Sequence, residues 1–206
     1  MNSIKLHGNF EKINNGFINE SFEALGLLET IQNKYKKTDN DTIINEARDS
    51  KVAQVLGYGY INVDKHGWDA KKDTDEFLEV KQASAAAGNI GATFNDTSLE
   101  KALELSNVTI GLAVWSSLKK LLFVVYGMNP AIGPDIKQKI LIAMEKGHIR
   151  PGTQSISMKD LIFKYGFKIK PVEMSKKDIY NFLREKNGFK TYLKKQHREL
   201  PFDNEA

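Results

Sequence analysis

DEFLEVKQ, residues 75–82, alternates apolar and polar side chains as a β-strand does, yet it sets a glutamate and a lysine two residues apart. Successive strand residues point to opposite faces, so Phe77, Glu79 and Lys81 share one face while Leu78 and Val80 share the other. The preceding stretch GWDAKKDTD, residues 67–75, ends in an Asp-Thr-Asp cluster of turn type. A turn centred on Thr74 makes a hairpin that pairs Asp69 with Glu79. Opposed residues in such a pair have Cβ atoms about 5 Å apart, which gathers Asp69, Glu79 and Lys81 into one cluster. Two carboxylates held that close repel unless a cation lies between them, and hard oxygen ligands suit Mg²⁺.

Two apolar runs, residues 108–115 and 120–128, follow as strands joined by Ser116-Ser117-Leu118-Lys119. They make 75–82 a central strand, where charges require a reason. On a surface the same three residues would be an ordinary ladder, contributing about 1 kcal/mol or less. Upstream, Phe17, Ile18, Phe22, Leu25, Leu28, Ile31 and Tyr35 recur at helical spacing over residues 16–37, with Asn14 and Asn15 as caps. Glu20 falls at the margin of that arc, where an acid also complements the helix dipole. Residues 42–51 read as a short helix or irregular segment, 52–63 as extended, and 83–95 as a flexible Gly-rich loop. A helix over 97–105 takes Thr97 or Asp96 as its cap. Asn129-Pro130-Ala131-Ile132-Gly133-Pro134 is the clearest break. Beyond it come a helix at 135–146, a loop at 147–155, mixed structure at 156–169, and a helix at 175–186. That last helix carries a capping box from Ser175 to Asp178 and ends before Gly188. The expected fold class is α/β (α+β), a mixed central sheet flanked by helices. Residues 1–128 would form one core and 129–206 a basic extension packed on it.

The 206 residues suffice for an ordinary core, and 41% hydrophobic with 27% charged residues is the balance of a soluble globular chain. No run has the length of a membrane span, no signal peptide is expected, and there are no cysteines. Disulfides and cysteine-ligated zinc are excluded, and a cytoplasmic setting follows as the expectation. Residues 1–127 hold 14 basic and 17 acidic side chains, net −3, against 16 and 9, net +7, over 128–206. That asymmetry is consistent with a carboxy-terminal part that meets a polyanion, though composition alone favours a solvated lysine-rich surface. Lys176, Lys177, Lys190, Lys194, Lys195 and Arg198 are its DNA-contacting candidates. The four histidines have no metal-ligand spacing, Trp68 reads as a core residue, and Gln82 faces away from Lys81 by alternation. P-loop, dinucleotide-binding and nucleophile-elbow patterns are missing, so no nucleotide cofactor is expected.

Asp69, a short gap, and Glu79-Val80-Lys81 on the next strand resemble the PD-(D/E)XK nuclease superfamily, which includes many type II restriction endonucleases. Gly16-Phe17-Ile18-Asn19-Glu20 resembles the opening of small members that cut short palindromes, and members often carry a first-helix glutamate that reaches the metal site. The resemblance spans about residues 15–128. Trp68 stands where the motif has proline, and Asp64 is an alternative to Asp69. The resemblance implies a restriction-endonuclease-like core with catalytic Asp69, Glu79, Lys81 and Glu20. It further implies Mg²⁺ on Asp69 and Glu79, with Mn²⁺ able to substitute, and a homodimer that cuts double-stranded DNA at a two-fold symmetric site. Alternatives are a phage or repair nuclease with the same core, or a non-catalytic nucleic-acid-binding protein.

Overall fold

The structure, a computed structural model, describes residues 8–35, 42–62, 67–186, 188–190, 193 and 199–203. In chain order the elements are β1 (Phe10–Lys12), α1 (Asn15–Tyr35), α2 (Thr42–Val55), β2 (Tyr60–Asn62), β3 (Ala70–Lys71), β4 (Phe77–Ser84), β5 (Gly91–Phe94) and α3 (Leu99–Glu104). Then follow β6 (Thr109–Trp115), β7 (Leu121–Gly127), α4 (Ile132–Glu145), β8 (Gln154–Ser157), α5 (Met158–Phe163), β9 (Lys168–Pro171) and α6 (Lys176–Glu185).

Seven strands form one mixed sheet in the order β1-β2-β3-β4-β6-β7-β9. Every neighbouring pair is antiparallel except β4 and β6, which run parallel from Leu78 beside Thr109 to Ser84 beside Trp115. The chain reaches β6 from β4 by way of β5 and α3, as a parallel connection requires. β6 and β7 are continuous apolar runs because both faces of the sheet are covered. On one face Ile110, Leu112, Val114, Phe123 and Val125 pack with α3, α4, α5 and α6. On the other, Leu78, Val80, Ala113 and Val124 pack with Val52 and Ala53 of α2. Residues past 128 supply β9 and much of the first cluster, including Phe167, Ile169, Ile179 and Leu183.

Several local expectations are corrected. Residues 52–55, read as extended from their valines, are the last turn of α2. Gly57, at φ 76°, then closes the helix by donating to Gln54 O at 3.1 Å while Tyr58 donates to Ala53 O at 2.9 Å. The stretch 83–95 is no plain loop: it contains the end of β4 and all of β5, which pairs with β8 as a separate two-stranded sheet. The loop expected at 147–155 accordingly ends one residue before Gln154. Ser98, not Thr97 or Asp96, caps α3, its hydroxyl accepting from Lys101 N–H at 3.0 Å. α4 starts at Ile132, ahead of Gly133 and Pro134, because proline fits a helix's first turn. The capping box at Ser175 forms as read, with Asp178 N–H donating to the hydroxyl at 3.1 Å. No helix among the described residues is long and apolar enough to cross a membrane.

Candidate active site

β3 is only two residues long, and its pairing with β4, Ala70 beside Leu78 and Lys71 beside Phe77, is the register of a turn centred on Thr74. Continued by one step, that register brings Asp69 to Glu79 and Val80. There the pairing stops. Beyond it, residues 80–84 of β4 have β6 on one side and no strand on the other among the described residues. Val80 N–H, the next donor on the open side, goes instead to Asp69 Oδ2 at 2.6 Å. A side-chain carboxylate thus substitutes for a missing strand, and is held there by a charge-assisted hydrogen bond.

Glu79 lies beside Ile110 and Lys81 beside Leu112, both partners fully buried. Glu79 itself is 6% exposed, and Lys81 Nζ donates to its Oε1 at 2.7 Å. The ammonium also lies 5.6 Å from the ring centroid of Phe94. A buried carboxylate is tolerable only when so paired. Burial works against the charged form of Lys81, but Glu79 and then Asp69 outweigh it and hold its pKa above the ordinary value. Asp69 has the opposite fate: burial and the Glu79 charge push its carboxyl up to about 7.

A third carboxylate arrives from α2. Asp49 lines the same cleft as Asp69, Val80, Lys81 and Gln82, with Asn45 one turn earlier on the helix and Thr93 and Asn95 also in the lining. Its carboxyl is also pushed well up, by burial first and then by Asp69. Gln82 Nε2 donates to Asp49 Oδ1 at 2.7 Å, while Gln82 Oε1 accepts from Arg48 Nη1 at 3.3 Å. Arg48 is itself fixed: Nε donates to Leu118 O at 2.8 Å, Nη2 to Ser117 O at 3.1 Å, and the guanidinium lies 4.9 Å from the Trp115 ring centroid. This chain of bonds sets which end of the Gln82 amide faces Asp49.

Asp69, Glu79 and Lys81 are therefore brought together as the hairpin reading requires, and Trp68 is a core residue at 1% exposure. Glu20 is exposed on α1 and does not line the cleft. Lys176, Lys177 and Lys190 are exposed away from the cleft lining, Lys176 lying 5.7 Å from the Phe202 ring centroid. Asp64, Lys194, Lys195 and Arg198 fall outside the described residues. Sequence reasoning missed Asp49 and Gln82. Alternation turns Gln82 to the α2 face, but at an unpaired strand edge both faces open into one cleft. The signal for Asp49 is its spacing from Asn45, four apart on one helix face, which goes unused when 42–51 reads as either helix or irregular segment.

Among the described residues no three acidic or histidine side chains are grouped tightly enough to cage a metal by themselves. The donor set nonetheless fits Mg²⁺, which takes one or two carboxylates and completes its octahedron with water and substrate phosphate. Burial first, and then a neighbouring carboxylate, raise the carboxyls of Asp69 and Asp49, and a divalent ion in the cleft would favour their ionised forms. No protein-family model matches the chain, and no curated protein matches it significantly.

Proposed function

We propose that this chain is a Mg²⁺-dependent endodeoxyribonuclease of the type II restriction kind, acting on double-stranded DNA as a homodimer. One observation carries the reading: Asp49, Asp69 and Lys81 line one cleft at the open edge of a central strand, with Glu79 paired to Lys81, and burial and then a neighbouring carboxylate raise both aspartates. The element order gives further support. The PD-(D/E)XK resemblance implies a helix, a three-stranded meander, a helix and further strands, and α1, then β2 to β4, then α3, then β6 and β7 run in that order, with α2 before the meander and β5 after it.

Asp69 and Glu79 would hold the ion. Bound there, Mg²⁺ supplies a polarised phosphate and a water of lowered pKa. The Lys81 ammonium, kept charged by its two acidic neighbours, donates to a non-bridging phosphate oxygen and stabilises negative charge developing on phosphorus. Asp49, oriented by Gln82, takes the proton of the attacking water. Glu20, exposed on its helix, has no step in this scheme.

The test is cleavage of plasmid and phage DNA by the purified protein, with Mg²⁺ or EDTA, beside Lys81→Ala and Glu79→Ala. Discrete fragments that need Mg²⁺ and vanish in both variants are expected. Unspecific degradation would replace the restriction reading with a repair or phage nuclease. If no DNA, modified or unmodified, is cut, the catalytic reading fails.

A further inference from the structure

Ile149 is 98% exposed, the most exposed of the large apolar side chains described, and it stands between cations. Lys146, Gly147, His148, Ile149 and Arg150 are all exposed. Folding does not require an isoleucine there. Gly147, at φ 71°, caps α4 by donating to Met144 O at 2.9 Å, and His148 N–H donates to Ala143 O at 3.0 Å. At the other end Thr153 N–H donates to Arg150 O at 3.1 Å, Gln154 Nε2 to Pro151 O at 2.8 Å, and Thr97 N–H to Gly152 O at 3.0 Å. Both ends of the loop are fixed by backbone groups, and Ile149 serves neither.

Position gives the loop its meaning. It leads directly into β8, whose first residue Gln154 pairs with Phe94, and the residue after Phe94 is Asn95, which lines the candidate cleft together with Thr93. The loop therefore runs into the strand paired with β5, which leads into the cleft-lining Asn95, and its Gly152 O accepts from Thr97 N–H two residues beyond. We propose that residues 146–150 engage duplex DNA entering the cleft, Lys146 and Arg150 on phosphates and Ile149 against base pairs in the groove. Apolar side chains flanked by cations act this way in groove-binding proteins. A membrane surface, the other partner of a basic loop with an apolar tip, asks for far more buried apolar area than one isoleucine provides. The inference rests on the nucleic-acid reading of the cleft and not on cleavage.

The experiment is a salt titration of binding to a fluorescent 30-bp duplex in EDTA, using the full chain, with Lys146→Ala/Arg150→Ala and Ile149→Ala. Loss of two phosphate contacts flattens the slope of log K against log salt by about 2. Ile149→Ala leaves the slope unchanged and weakens binding roughly 10-fold, as removal of a buried apolar side chain does. Wild-type affinity and slope in both variants would overturn the proposal, as would an Ile149 effect seen on 3:1 phosphatidylcholine:phosphatidylserine vesicles and not on DNA. Loop-dependent binding without any Mg²⁺-dependent cutting sinks the nuclease reading alone. Cutting without loop dependence sinks this inference alone, and a wild type that binds no duplex sinks both.

Discussion

Asp69 is the residue whose chemistry is most easily measured. Its carboxyl sits at about 7 in the folded protein against 3.8 in an unperturbed chain. The native state therefore keeps a proton that the unfolded chain releases, so this stability is full below the lower value and is lost as pH rises through the higher one. Asp69→Asn cannot ionise, so it gains on the wild type as pH climbs from about 4 to about 7 and is most stabilising above that range. Urea unfolding of both proteins in EDTA at acid and alkaline pH reads this directly; a difference independent of pH would show Asp69 to be an ordinary surface acid. Because a metal needs the ionised carboxylate, the rise in Tm on adding Mg²⁺ should grow between about pH 6 and 8 and be absent from Asp69→Asn. At this scale the sequence was informative where neighbours are close in the chain. Asp69, Glu79 and Lys81 follow from one turn and one alternation, whereas Asp49 reaches the cleft, and Arg48 reaches Gln82 behind it, through tertiary packing that no local pattern records.

Among the elements, α3 and α4 show most clearly how packing sets boundaries. A Cβ on Gly133 would lie 2.3 Å from Ser106 Oγ, 2.8 Å from Ala102 O and 2.9 Å from Leu103 O. Two of these are backbone atoms at the end of α3, and they cannot give way. Gly133→Ala should therefore cost about 1–3 kcal/mol in chemical denaturation, despite alanine's better helix propensity. A gain in stability would mean that the helices separate easily. The same contact explains why the Gly133-Pro134 pair misleads: the dipeptide spells a break locally, while the glycine is there for close approach and the proline for the first turn. Likewise β5 reads as a loop because only Ala92 and Phe94 face the core, and its partner β8 lies some sixty residues later. Strands that pair across such a distance leave little period-two signal of their own.

Across the whole molecule, the net charges of −3 and +7 divide the sequence more sharply than the packing divides the chain. β9 joins the sheet, and the final described segment then closes its outer edge. Ile169 N–H donates to Pro201 O and Asp203 N–H to Ile169 O, both at 2.8 Å, while buried Asp203 accepts from Tyr126 OH at 2.5 Å. Deleting 199–206 should lower Tm and expose the β9 edge, so sedimentation would show larger assemblies than the full chain forms. A deletion that keeps the full chain's assembly state and Tm would show that the tail is dispensable. The sheet thus covers its β9 edge and, among the described residues, leaves open an inner strand, β4, past the point where β3 ends. Any extended peptide that adds itself to residues 80–84 would complete the sheet and fill the cleft in one act. An inhibitor of the proposed activity would then need main-chain complementarity before side-chain identity, and the two-residue length of β3 is what leaves that edge of β4 without a strand from the described residues.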